Sequence, residues 1–322
     1  MPNSPDRGHQ PRRFPLLPEY RKAAEVWQAS EGQLTPVTPL DAAGLMLLRD
    51  SPDGVETYLT THAQRSPFGP VAFPGGPVDG DDDDPLPWVG PSSTAWGRRW
   101  CDDVGVTRRT VVAAARELFE RTGILLAGPD MYSTVETGDG RDWMVGREEV
   151  LARTLTMGQL LDSRHLKLRT DLLWPVARWV TPEFLHRRYD TRFFAVILPE
   201  RQSVTQIPNH PKPGLWATVD RLVAHLEEPQ TGQVDSRADR MDTWLGDTLG
   251  LPQTVGRSQR DLLGATMSGL LQELAAARSV VEVIARPRDL SPQVPDLAVE
   301  TDGSYELVLP RRPRRHRPRQ GI

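Results

Sequence analysis

Six consecutive residues, "RELFER" at 116–121, bring together two carboxylates, Glu117 and Glu120, and two guanidiniums, Arg116 and Arg121. They sit near the end of "VVAAARELFERTGILL" (111–126), which reads as a helix stopped by glycine and followed by an apolar strand. With about 100° of rotation per helical residue, Val111, Val112, Ala115, Leu118 and Phe119 share one side. Glu117, Glu120 and Arg121 share a sector about 100° wide on the other, with Arg116 just beyond it. Gly123 can take the left-handed conformation of a helix C-cap. Two readings stand side by side. Charged residues opposite an apolar face are what a surface helix presents to water. Two carboxylates on one helix face can also hold Mg²⁺ or Mn²⁺ through oxygen, leaving positions for phosphate oxygens.

Upstream lies "FPGGPVDGDDDD" (73–84), where Gly75 and Gly76 let the backbone turn tightly and approach a loop or ligand closely. Asp79 and Asp82 lie in this stretch, and its aspartates read either as a solvated loop or as neighbours of the helix carboxylates.

With these two segments in hand, the sequence resembles the Nudix hydrolase superfamily, whose signature is G-x(5)-E-x(7)-R-E-U-x-E-E-x-G-U with U a bulky aliphatic residue. Gly76 matches the first glycine, and Asp82 takes the place of the first glutamate. Arg116, Glu117, Leu118, Glu120, Gly123 and Ile124 match the second half. Between Asp82 and Arg116 lie 33 residues where the signature has seven, an insertion of 26. That placement resembles the coenzyme A diphosphatase-like branch, with an interrupted box. "LMLLRDSPDGVETYLTTHA" (45–63), "WVTPEFLHRRYDTRFFAVILP" (179–199) and "LPQT" (251–254) resemble the same branch.

The resemblance implies an α+β fold, a Nudix-like α/β/α sandwich with a mixed sheet. It also implies metal-dependent hydrolysis of a diphosphate in a nucleoside diphosphate linked to another moiety: a coenzyme A-like compound, a dinucleotide or a nucleotide sugar. Glu117 and Glu120 would be ligands of Mg²⁺ or Mn²⁺, with Arg116 gripping a glutamate through two donors; these three are the catalytic candidates. Gly75, Gly76 and Arg188 are candidate substrate contacts. Arg187, Arg188 and Asp190 read equally well as a structural arginine–aspartate network. The chain departs from the pattern at Arg121, where the family has a second consecutive glutamate. Exchanging a carboxylate for a guanidinium changes the local charge by two units. Unit charges 4 Å apart interact by about 4 kcal/mol at an effective dielectric near 20. An alternative therefore stands beside the hydrolase: a degenerate Nudix-fold module that binds a nucleotide or protein partner without efficient catalysis.

The elements needed to position these residues are legible in outline. "AAGLMLLRD" (42–50) and "VETYLTTHA" (55–63) read as a hairpin around "SPDG", and 166–182 and 190–200 read as further strands. Residues 218–228 and 257–279 read as amphipathic helices, and 296–310 as a hairpin turning at Asp-Gly. Residues 1–36 form a proline-rich, flexible segment with one short helix near "EYRKAAEVWQ", and 37–310 form the Nudix-like domain. Within it, 80–108 is an irregular insertion and a C-terminal extension starts near 231; 311–322 is a basic disordered tail. Trp88, Trp96 and Trp100 either pin the insertion to the body or build a lid.

Composition narrows the class of protein. The single cysteine, Cys101, excludes a disulfide framework and a thiolate metal cluster. The net charge of −4 includes the six arginines of "RRPRRHRPRQGI", so the body is more acidic than the total. Such a body is not built for nucleic acid. No run of about 18 apolar residues predicts a membrane span, and the first residues lack the apolar centre of a secretion signal. The expectation is a cytoplasmic protein with a small-molecule nucleotide diphosphate as substrate, neither membrane nor nucleic acid as partner, and a homodimer left open. A Gly-Lys-Ser/Thr phosphate loop, a Gly-x-Ser-x-Gly elbow and histidines at metal spacing are all missing from the sequence. His62 reads as a surface residue at a strand end.

Overall fold

The computed structural model describes residues 11–61, 70–137, 140–207, 214–227, 249 and 263–309. His62, the "LPQT" segment, the first part of the 257–279 helix and the basic tail lie outside the described residues.

Apolar runs build the centre. Strand β2 (Leu40–Ser51) is buried almost throughout, as a strand covered on both faces must be. It follows β1 (Arg12–Pro15) and helix α1 (Arg21–Ala29), and it turns into β3 (Gly54–Thr61). The β2–β3 pair is antiparallel, with Leu48 opposite Thr57 and Ser51 opposite Gly54 around the expected turn. Two short strands, β4 (Val71–Ala72) and β5 (Gly75–Pro77), lie against β3 and β2 respectively. After β6 (Trp88–Val89), α2 (Ser93–Trp100), α3 (Val104–Thr122) and β7 (Ala127–Gly128) come α4 (Arg141–Leu151) and α5 (Met157–Ser163). The chain continues through β8 (Lys167–Arg169), β9 (Trp174–Val180), β10 (Tyr189–Ile197), β11 (Gly214–Thr218) and α6 (Val219–Glu227). The last described elements are α7 (Ala265–Ala275), α8 (Val280–Ala285), β12 (Pro292–Gln293), β13 (Asp296–Val299) and β14 (Tyr305–Leu309).

The main sheet runs in the order β11-β3-β2-β10-β9-β12. It is mixed: β10 is parallel to β2 and antiparallel to β9. Side chains alternate across it, as strand geometry requires. Ala43, Leu45, Leu47, Phe194 and Val196 meet Val111, Ala114 and Leu118 of α3 on one face. Met46, Leu48, Phe193 and Ala195 meet α1, α6, α7 and α8 on the other. Helices on both faces of a mixed sheet make the α/β/α sandwich of the α+β class expected from the sequence.

Three local features differ from the expectation. Residues 80–108 carry a 3₁₀ turn (Gly80–Asp83), β6 and α2. Ser92 caps α2 by accepting from the Ala95 amide at 3.2 Å. Trp96 and Trp100 are buried edge-on to Phe194, at centroid separations of 5.8 and 5.4 Å, so these two rings pin the segment to the sheet. The N-terminal stretch holds β1, which pairs with β14, besides α1. The described residues of 127–168, where no element was expected before the strand at 166, form a layer of their own over α3. Here Val112, Ala115 and Phe119 pack with Val150, Leu160, Leu161 and Leu168.

Candidate functional site

Helix α3 begins where the Asp103 carboxylate accepts from the Val106 amide at 2.9 Å, and it ends at Gly123, whose φ is +80°. Between these caps the helix is wedged between the main sheet and the 127–168 layer, so the side opposite the sheet is not wet. Glu117 is only 3% exposed and Glu120 6%. The surface-helix reading of these two carboxylates is thereby corrected. Neighbours invisible on a helical wheel take the place of solvent: Gly76 against Glu117, and Arg147 and Arg153 of the added layer against Glu120.

Buried carboxylates need partners, and here the partners are arginines. Arg116, 2% exposed, donates from Nε to Asp82 Oδ1 at 2.8 Å and from NH2 to Asp82 Oδ2 at 2.9 Å. NH1 donates to Glu117 Oε1 and to Glu120 Oε1, both at 3.1 Å, and NH2 also reaches the Pro77 carbonyl at 3.0 Å. All five guanidinium N–H groups thus have an acceptor. Burial alone would lower the Arg116 pKa, but Asp82, Glu117 and Glu120 raise it far above its ordinary value.

Arg121 turns toward the same group: its Nε donates to Glu117 Oε2 at 3.3 Å, one helical turn away. A third guanidinium comes from the turn between α4 and α5. Arg153 donates from Nε to Asp79 Oδ2 at 2.8 Å and from NH1 to Glu120 Oε1. Four carboxylates (Asp79, Asp82, Glu117, Glu120) therefore face three guanidiniums, a formal balance of minus one. A fourth, Arg147, is buried beneath them and bonds backbone: Nε and NH2 donate to the Glu120 carbonyl at 3.2 and 3.1 Å, NH1 to the Thr205 carbonyl at 3.0 Å. Burial pushes its pKa down to about 10. The Glu120 carboxyl is raised by burial and by Glu117, against the pull of Arg116 and Arg153. Burial likewise raises Asp82, outweighing Arg116. Asp79 lies low, because Arg153 outweighs its burial.

The glycine pair closes the cluster from the strand side. A side chain on Gly76 would collide with the Glu117 carboxylate, and one on Gly75, whose φ is +155°, with the Ala43 carbonyl. The structure thus brings Gly76, Asp79, Asp82, Arg116, Glu117, Glu120 and Arg121 into one place. Arg188 is not among them by contact. It donates to the Thr181 carbonyl at 3.0 Å and the Val37 carbonyl at 2.7 Å. Asp190 pairs with Arg178 through two bonds, at 2.8 and 2.6 Å. Arg178, Arg192, Asp41, Asp102 and Asp190 form a network that ties the α2–α3 turn to the sheet. Arg153 and Arg147 escaped the sequence reading. No local pattern marks them, since each meets Glu120 only through tertiary packing.

A hard divalent cation needs several oxygens with lone pairs to spare. Asp82 is taken by Arg116 and the Asp79 amide, Glu117 by Arg116 and Arg121, and Glu120 by Arg116 and Arg153. Among the described residues no group of three or more His, Cys, Asp or Glu side chains is arranged to hold a metal. In this arrangement the donor set does not fit the metal cage that the resemblance implies. Among the described residues no helix is long and apolar enough to cross a membrane.

No family model matches the chain, and no curated protein does. Solved structures do. A NUDIX hydrolase from Alicyclobacillus acidocaldarius superposes with a TM-score of 0.50 at 20% identity, covering 78% of this chain and 98% of that one. A C. elegans Ap4A hydrolase gives 0.29 at 13% identity, over 65% and 98% of the two chains. A UDP-X diphosphatase gives 0.27 at 12%, over 69% and 71%. The likeness to the first is one of fold, and the other two superpose too loosely to add to it. The chain therefore has a Nudix-like fold, with the carboxylate–guanidinium cluster at the end of α3.

Proposed function

We propose that this chain is a Nudix-fold module that binds a small molecule built on a nucleoside diphosphate, without hydrolysing it efficiently. One observation carries the reading: Arg116, Arg121 and Arg153 engage the carboxylates of Asp82, Glu117 and Glu120 that a metal would need. A guanidinium presents a planar fork that matches phosphate oxygens. Arg121 and Arg153 are the two arginines of the cluster that water reaches, at 17% and 35% side-chain exposure. Arg121 spends only Nε on Glu117, and Arg153 only Nε and NH1 on its acceptors. Their outer NH2 groups supply donors for a diphosphate at the edge of the cluster, while the space beside Gly75 and Gly76 is taken by the Ala43 carbonyl and the Glu117 carboxylate. The moiety attached to the nucleotide, coenzyme A-like or otherwise, and the reading of 80–108 as an insertion within the box belong to this proposal.

A second reading is metal-dependent hydrolysis with Mg²⁺ or Mn²⁺ at Glu117 and Glu120. The convergence of three carboxylates on Arg116 favours it, and it requires Arg121 and Arg153 to leave their partners.

Equilibrium titration of the full chain with ADP-ribose, coenzyme A, NADH and diadenosine polyphosphate, in buffer containing EDTA, tests the first reading. Saturable binding that weakens at least about tenfold in Arg121→Ala is expected. Absence of binding to the whole panel contradicts it.

A further inference from the structure

Arg116 and Arg153 differ in how they are held. Arg116 is locked inside the cluster, whereas the Arg153 side chain is 35% exposed and comes from a separate layer. Its backbone is left-handed, with φ +61°, a conformation unfavourable for a non-glycine residue. Two neighbours fix that corner. The Arg153 amide donates to the Val150 carbonyl at 3.1 Å, closing α4. Thr156 and Gln159 then open α5 with a reciprocal cap, at 2.9 and 3.2 Å. A turn so tied at both ends aims one cation between Glu120 of α3 and Asp79 of the glycine-rich segment. Those carboxylates come from elements 41 positions apart in sequence, and among the described residues Arg153 is the cation that bonds both.

We infer that Arg153 is the internal cation of this site: its guanidinium takes the place of a divalent ion between Glu120 and Asp79 and determines that the site stays metal-free. The inference rests on the cluster being the functional site. Removing Arg153 leaves four carboxylates facing two guanidiniums, releases Asp79 Oδ2 and leaves Arg116 as the one guanidinium on Glu120 Oε1 among the described residues; carboxylate oxygens are what a hard cation prefers. Arg121, with its single contact at 3.3 Å, is the weaker obstacle.

The test is Mn²⁺ binding without nucleotide, read by the electron paramagnetic resonance signal of free Mn²⁺, on the full chain. The proteins are the native one, Arg153→Ala, Arg153→Gln and the double variant Arg153→Ala/Glu120→Gln. Both single variants are expected to bind one Mn²⁺ at least about tenfold more tightly than the native protein, and the double variant to lose that gain. Native-like titration by Arg153→Gln overturns the inference. So does tight, Glu120-dependent binding by the native chain. If neither single variant folds, as judged by near-ultraviolet circular dichroism, Arg153 is a structural tie and the inference falls as well. Nucleotide binding plays no part in the readout, so failure here is distinct from failure of the proposed function.

Discussion

Arg116 and Asp82 stand 34 positions apart in sequence yet meet through two parallel bonds, Nε to Oδ1 at 2.8 Å and NH2 to Oδ2 at 2.9 Å, with side chains 2% and 1% exposed. This pair holds the glycine-rich segment against α3, and the rest of the cluster is arranged around it. Replacing Arg116 by lysine keeps the charge but cannot reproduce a five-donor fork. Breaking such a buried pair costs about 3 kcal/mol or more. Urea unfolding of Arg116→Lys should show a loss of that size, and a loss below about 0.5 kcal/mol, the range of an ordinary surface change, would contradict the account.

Gly76 and Glu117 should be energetically coupled. A methyl group at Gly76 displaces the Glu117 carboxylate from Arg116 and Arg121. Gly76→Ala should destabilise the chain by about 1–2 kcal/mol, within the usual cost of overpacking. In a Glu117→Ala background the same substitution should cost much less. A double-mutant cycle giving a coupling energy of about 1 kcal/mol is the expected result, and strict additivity is the opposing one.

Trp100 anchors the segment before α3. Its ring packs edge-on to Phe194 at 5.4 Å, and its indole Nε1 has no hydrogen-bond partner among the described residues. Trp100→Ala should cost about 3–5 kcal/mol. Trp100→Phe loses no hydrogen bond and should cost under about 1.5 kcal/mol. Chemical denaturation midpoints distinguish the two.

The pairing of Asp102 with Arg178 and Arg192 predicts a pH dependence. Burial would raise the Asp102 carboxyl, but the Arg192 and Arg178 guanidiniums hold it below the ordinary aspartate range. A carboxyl lowered on folding adds stability that is present above its unfolded pKa, about 3.9, and lost as pH falls through the folded value. Asp102→Asn should therefore be less stable than the native chain by about 2 kcal/mol at pH 7. The gap should close as pH is lowered past 4. A gap that persists unchanged to pH 2.5 would show that charge is not its cause.

The parts of the fold that follow local rules were legible in the sequence. The β2–β3 hairpin follows from its turn residues and alternating apolar pattern, and the end of α3 from Gly123. Motif spacing put Asp82 among the possible neighbours of the helix carboxylates, but the partner expected for Arg116 was a glutamate, and its two-bond grip on Asp82 could not be read. The burial of Glu117 and Glu120 could not be read. A helical wheel shows which residues share a face but not what covers it: Gly76 lies against Glu117, and Arg147 and Arg153, from a segment in which no element was expected, lie against Glu120. Arg153 was hidden for the same reason, being one arginine in a polar turn whose target is set by packing. For Arg188, residue type alone could not say that its donors would be spent on the Thr181 and Val37 carbonyls. The basic tail (311–322), the "LPQT" segment and the start of the 257–279 helix lie outside the described residues.

Arg121 and Arg153 together decide between the binding module and the hydrolase. The most direct measurement is nucleotide or phosphate release from ADP-ribose, coenzyme A, NADH and diadenosine polyphosphate in Mg²⁺ or Mn²⁺, for the native chain, Arg121→Glu, the double variant Arg121→Glu/Arg153→Ala, and Glu120→Gln. The account predicts no metal-dependent turnover by the native chain or by Arg121→Glu alone, because Arg153 still holds Glu120, and turnover once Arg121→Glu is combined with Arg153→Ala. Metal-dependent turnover by the native chain that disappears in Glu120→Gln would contradict it and establish a hydrolase that works with the arginine in place.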